Sequence, residues 1–395
     1  MIGIVALAVA AICVIAGVVC GGQLNGRIDE RNAVLTSSEP FAFAAQNLYA
    51  ALSAADAAAA TAFLSGGIET AEMRAKYQQA LADAASALAD TTAGTTDTET
   101  RAKMAKISAQ LAAYTALVES ARANNRQGYV IGSAYVREAS SLMQTSLLPA
   151  AQDVYKANLA TLEQGQSAIG SLPVVSLTLL AVALVAIGVA SVIMYRRTNR
   201  QFNIGLVVAA ATVILVIGWV VVATQLAAGE IEQAQTEGTA RFEQLAKARI
   251  LAQQARTVET LELIARGDIT AGEKTFHGQL DELGSLVEAA PAPARDALRK
   301  WSASHEKQVE AYEAGDFEVA VAQAIGPDPA ASAAQFAAVE SNLRDGIELT
   351  RETLRDRVAA AGAWLAWSPT GTLVLMVVAA SAAVVGLWPR LKEFL

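Results

Sequence analysis

The sequence is short of the residues that most chemistry needs. It has two cysteines, two histidines and only 6% aromatic residues in 395 positions. Cys13 and Cys20 both fall in or at the end of the first apolar run, so no disulfide framework holds the polar segments together. A pair of histidines, His277 and His305, is a poor basis for a metal centre; His305 lies on an apolar stripe and is expected to pack there. No glycine-rich phosphate loop follows a strand-like run, and neither G-x-S-x-G nor H-E-x-x-H occurs. An enzyme is therefore not expected, and no cofactor or metal is. A basic excess is missing too: the net charge of −8 argues against nucleic acid as a partner.

What is present is apolar length. Residues 2–19, 173–195, 204–226 and 371–388 are runs close to the ~20 residues that a helix needs to cross a bilayer. Between the second and third runs lies Arg196-Arg197-Thr198-Asn199-Arg200-Gln201-Phe202-Asn203, too short to do more than turn the chain. Arginines in a short loop mark the cytoplasmic side. This orients the rest: spans at 1–22, 173–195, 204–226 and 371–388, extracytoplasmic segments at 23–172 and 227–370, a cytoplasmic loop at 196–203 and a cytoplasmic tail at 389–395. The expected location is the cell membrane, multi-pass, with both termini inside. The first run has no basic flank, so either the inner loop alone sets the topology or translation starts upstream of Met1. An uncleaved anchor is expected there, because no A-x-A site follows it.

Charge divides by compartment. Residues 23–172 hold 11 basic and 14 acidic side chains, whereas residues 227–370 hold 14 and 23. Both segments read as helices. Met104, Ile107, Leu111, Tyr114, Val118 and Ala121 recur at steps of three and four, the seam of a helix with one buried face. Leu48, Leu52, Ala55, Ala59 and Phe63 form a second stripe, and Leu81 with Leu88 part of a third. Breaks are expected at Ser65-Gly66-Gly67, at residues 91–97 and at Gly128, which leaves four helices. Ser38-Glu39-Pro40 should interrupt the first, with Ser38 as N-cap, and Pro149 should kink or break the fourth. In the second segment Leu298, Trp301, His305, Val309 and Tyr312 form one stripe, and Phe336 to Leu365 a long one.

The two halves align. Gly3-Ile4-Val5 through Val19 matches Gly205-Leu206-Val207 through Val221; Leu111, Tyr114, Glu119 and Gly128 match Leu298, Trp301, Glu306 and Gly315; Pro173 matches Pro369. The expected fold class is an all-α membrane protein, with four transmembrane helices and two extracytoplasmic four-helix bundles, internally duplicated. In an up-down-up-down bundle the turns near Gly66 and Gly128 are both distal to the membrane.

The most polar distal stretch supplies the candidate binding residues Asn124, Asn125, Arg126, Gln127 and Tyr129. Their amides and guanidinium suit a carboxylate or a partner surface, or else they simply cap a helix C-terminus. Arg196, Arg197 and Arg200 are the candidate cytoplasmic output. Pro173 and Pro369 are either joints between bundle and span or the ordinary first-turn prolines of membrane helices. Gly17 and Gly21 form a G-x-x-x-G pattern suited to close helix packing.

At residues 118–151 (VESARANNRQGYVIGSAYVREASSLMQTSLLPAA), together with the duplicated plan, the chain resembles the actinobacterial GlnX-like transmembrane signalling proteins. The resemblance implies association with the GlnH solute-binding lipoprotein outside and with protein kinase G, or an adaptor, inside. It also implies a role in passing amino-acid availability across the membrane, and it carries no catalytic residues. A homo-oligomer is compatible with this reading. The second class of function is a structural or accessory membrane protein of the cell envelope without switching.

Overall fold

The computed structural model describes residues 2–392 except 67–68, 96, 199–202 and 289–291. All regular structure among the described residues is helical. The helices are α1 (Ile2–Ala33), α2 (Glu39–Leu64), α3 (Ala71–Gly94), α4 (Thr98–Arg126), α5 (Ile131–Leu142), α6 (Leu148–Gly170) and α7 (Val174–Thr198). They continue as α8 (Ile204–Gln233), α9 (Ala240–Ala265), α10 (Thr270–Val287), α11 (Ala292–Glu313), α12 (Phe317–Ile325), α13 (Ser332–Leu365) and α14 (Ser368–Lys392). Four helical stretches, Gly3–Leu64, Ile131–Arg196, Ile204–Ala265 and Ser332–Trp388, contain a window long and apolar enough to cross a membrane.

Three π-helical turns, Val34–Ser38, Met143–Leu147 and Ala234–Thr239, stand where the sequence led us to expect interruptions or gave no sign. Two of them end two residues before a proline, Pro40 and Pro149, whose missing N–H cannot close the helical ladder. The widened turn absorbs the defect instead of breaking the helix. Each π turn carries a threonine whose hydroxyl donates to the carbonyl four residues earlier: Thr36 to Asn32, Thr145 to Ser141 and Thr236 to Glu232. Ser38 is therefore not an N-cap; its backbone is helical and its side chain makes no capping bond.

The chain divides into two compact units. One holds residues 1–36, 163–236 and 353–395; the other holds 37–162 and 237–352. In the first, α1 packs between α7 and α14, and α8 packs on α14 and α7. Small residues allow the approach. A Cβ on Gly205 would lie 2.5 Å from the Gly386 Cα, and one on Gly17 would lie 2.7 Å from the Met376 side chain. The outward faces are apolar, with Leu7, Val18, Val185, Ile214 and Val385 exposed, as lipid contact requires.

In the second unit α2 and α9 pack against each other and form the centre. α3, α4 and α5 gather on α2; α10 and α12 gather on α9. The stripe on α4 is buried at Met104, Ile107, Tyr114, Val118 and Ala121. On α3 the buried face is Tyr77, Ala80, Ala84, Ala87 and Thr91, beside the leucines that the pattern suggested. Short α12, between Gly315 and Pro327, is an element that the sequence reading did not contain. Helix ends fall at the expected glycines: Gly66, Gly128 and Gly315 take positive φ, which costs glycine nothing.

Candidate functional site

The turn after α4 meets the turn after α2. Asn125 Nδ2 donates to the carbonyls of Phe63 (3.0 Å) and Gly66 (3.3 Å), and Asn124 Nδ2 donates to Ser120 O at 2.8 Å. Both amides are thus occupied inside the fold, Asn125 on carbonyls at the end of α2 and Asn124 on a carbonyl of its own helix. Arg126, Gln127 and Tyr129 stay exposed, and Val130 and Ile131 beside them are exposed as well. The polar stretch therefore splits into two inward residues and a mixed polar and apolar outward rim. In the second half, Tyr312 donates to Gly267 O at 2.9 Å and the Arg266 guanidinium lies 4.0 Å from the Phe317 ring centre.

Deeper in α2 lies Asp56, buried among alanines. Its carboxylate accepts from Tyr114 Oη (3.3 Å), Ser140 Oγ (2.7 Å) and Gln144 Nε2 (3.2 Å). Among the described residues no cation offsets it, so burial raises its pKa to about 6 although the three hydrogen bonds pull the other way.

α9 also carries a fully buried acid, Glu259, with the opposite electrostatics. Arg256 Nη1 lies 2.5 Å away, Trp301 Nε1 donates at 3.3 Å, and the Ser332 hydroxyl also donates. His305 Nδ1 donates at 3.1 Å, while its Nε2 donates to Glu273 at 3.0 Å. Burial opposes the charged form here too, but Arg256 and His305 outweigh it and hold Glu259 down at about 2. The same carboxylates overcome burial at His305 and lift it to about 9. His305 is thus a buried, doubly bonded cation and not simply a packing residue, although Phe276 does stack on it at 3.7 Å. Glu262 adjoins this network, and burial first, then Glu273, raises its pKa to about 8, which favours its neutral form. Among the described residues no group of side chains could hold a metal ion.

Tyr114 and Trp301, paired by the alignment of the halves, each present a ring donor to the buried acid of their own half. Sequence reasoning missed both acids. Asp56 was visible as a lone acid in an alanine run on a buried stripe; Glu259 had no such signal, because α9 is charged along much of its length.

A groove of about 900 Å³ runs between α2, α3 and α13. Its floor is alanine, including Ala50, Ala51 and Ala80. Arg249 and Arg351 border it but are engaged, the first with Glu340 at 2.6 Å and the second with Glu39 and the Phe43 ring. Of the output residues, Arg196 is exposed in the last turn of α7, Arg197 lies in the same helix, and Arg200 falls outside the described residues. Pro173 immediately precedes α7 and Pro369 is the second residue of α14, so both occupy helix-starting positions.

The fold thus defines an all-helical protein with four helices fit to cross a membrane, and two buried acid centres in its polar part. Residues 30–167 match the family model described as the actinobacterial sensor domain, which supports an actinobacterial sensor protein. No curated protein and no solved structure matches the chain.

Proposed function

We propose that this protein is a non-enzymatic transmembrane sensor that relays an extracytoplasmic binding event to the cytoplasm. The observation that carries the reading is the sensor-domain match, which falls on the polar helices between two apolar runs. In this reading the polar segments are two copies of one span, four-helix bundle, span plan. The shared π turns ahead of α2 and α9, and the aligned rings Tyr114 and Trp301 that each donate to a buried acid, support a duplication. The resemblance to GlnX-like proteins adds the finer reading. A solute-binding lipoprotein reporting amino-acid availability docks on the distal rim at Arg126, Gln127 and Tyr129. The displaced helices, through joints at Pro173 and Pro369, then present an altered Arg196–Arg197–Arg200 loop to a cytoplasmic kinase or adaptor.

The test is Arg126→Glu in the full-length protein in its membrane, with the exterior partner captured by crosslinking and identified. The reversed rim charge should weaken association by about tenfold or more while helix content and Tm stay unchanged, since the side chain is exposed. Undiminished association in a folded variant removes this rim from the relay.

A further inference from the structure

A second small cavity, of about 320 Å³, lies wholly within the apolar unit. It is bordered by Gln23 and Arg27 of α1 and by Ser171, Leu172, Pro173, Val174 and Val175 at the start of α7. Arg27 is only 7% exposed. Its Nη2 donates to Ser171 Oγ at 3.3 Å, but its buried Nη1 has no hydrogen-bond partner. Among the described residues no carboxylate borders the cavity. A guanidinium in such a place normally finds a counter-charge, because an unsatisfied buried N–H on a cation is among the costliest defects a fold carries. Gln23 is already committed, its Oε1 accepting from Ser176 N at 3.1 Å.

Three observations say what completes the site. The cavity sits at the N-terminus of α7, where the helix dipole adds positive potential. It also sits where an apolar run begins, since Pro173 opens the second span, so Arg27 lies at the depth of lipid headgroups. Its rim is apolar and open, with Leu172, Val174 and Val175 all about half exposed or more. The position that alignment of the halves pairs with Arg27 is Gly229, so the arginine belongs to this site and not to the repeated scaffold.

We infer that Arg27, held in place by Ser171, whose own hydroxyl donates to Ala168 O, binds a phosphate-bearing anion at the membrane surface. A phospholipid headgroup, its chains lying on Leu172, Val174 and Val175, is the source that the rim favours. The test uses the full-length protein, delipidated in detergent and titrated by native mass spectrometry. Three probes are used: phosphatidylglycerol, a neutral galactosyl diacylglycerol, and inorganic phosphate as competitor. Wild type should take up phosphatidylglycerol saturably and in preference to the galactolipid. Arg27→Gln should bind it about ten- to a hundredfold more weakly, and Arg27→Lys should recover part of the loss. Displacement by inorganic phosphate at concentrations comparable with the lipid identifies a free-anion site; resistance to it identifies the headgroup. Either supports the phosphate chemistry. Equal uptake of the two lipids by wild type overturns the inference even where Arg27→Gln fails to fold, and so does undiminished phosphatidylglycerol binding in a folded Arg27→Gln protein.

Discussion

Replacing Asp56 by Asn should change the stability of the protein with opposite sign at low and high pH. The folded carboxyl titrates near 6, against an ordinary value of 3.8. Between those values the folded state holds a proton that the unfolded chain has released. The stability associated with this group is therefore fully present below about pH 4 and is lost as pH rises through 6. That gap sets an upper limit of about 3 kcal/mol on the cost of ionising Asp56 at neutral pH. Asn escapes the cost but gives up one oxygen as acceptor; with its amide in the Oδ1 place only Tyr114 must reorient, at about 1 kcal/mol. At pH 8 the variant should come out ahead by roughly 1–2 kcal/mol, a Tm higher by about 2–8 °C for a unit of this size. At pH 4.5 wild type is already neutral at this position and should lead by about 1 kcal/mol. Thermal melts of the full-length protein in one detergent, followed by far-ultraviolet circular dichroism, give the difference at each pH. Every other titrating group cancels in that difference. A difference of the same sign and size at both pH values would refute the account of a buried, uncompensated carboxylate.

The acid centre of the other half should behave in the reverse manner. Glu259→Gln leaves Arg256 and the His305 cation without their buried counter-charge and should cost about 3–5 kcal/mol, read as a lower Tm at pH 7; a loss below about 1 kcal/mol sinks the idea of an internal ion network. His305 should contribute stability that is complete below its ordinary 6.5 and fades as pH rises through about 9, a decline that must be missing from melts of His305→Gln. Gly272→Ala tests the geometry beside this network, since a Cβ there would come within 1.5 Å of Glu262 Oε1. In an ordinary helix that substitution helps by up to about 1 kcal/mol. Here it should destabilise by about 1–3 kcal/mol, with recovery in Gly272→Ala/Glu262→Ala; a stabilised single variant shows that the contact is absent.

What the sequence revealed of this protein, and what it hid, separates along physical lines. Helices and their ends were readable because burial leaves a periodic trace and because glycine at positive φ is nearly compulsory, as at Gly66, Gly128 and Gly315. Prolines were readable as defects but not as outcomes. Pro40 and Pro149 each forfeit one hydrogen bond, and whether the chain answers with a break or with a π turn depends on whether tertiary packing holds both flanks in line. The Thr36 and Thr145 hydroxyls, which satisfy a carbonyl in each turn, were plain in the sequence yet meaningless before the turn type was known. Short α12 was hidden between two loop signals, nine residues being too few for a periodic stripe. Buried charge was the least legible feature of all. A charged residue on a helix reads by default as part of a solvated face, and only partners brought from distant helices reverse that reading. Glu259 gathers Trp301, His305 and Ser332 from two other helices. Asp56 gathers Tyr114, Ser140 and Gln144 from α4, α5 and the following π turn. The alignment of the halves had already paired Tyr114 with Trp301 as packing rings. What it could not express is that each ring also carries a donor, and that an acid stands within its reach in both halves. Two acids with such different charge environments, one alone and one ion-paired, respond unequally to a change in pH or local field.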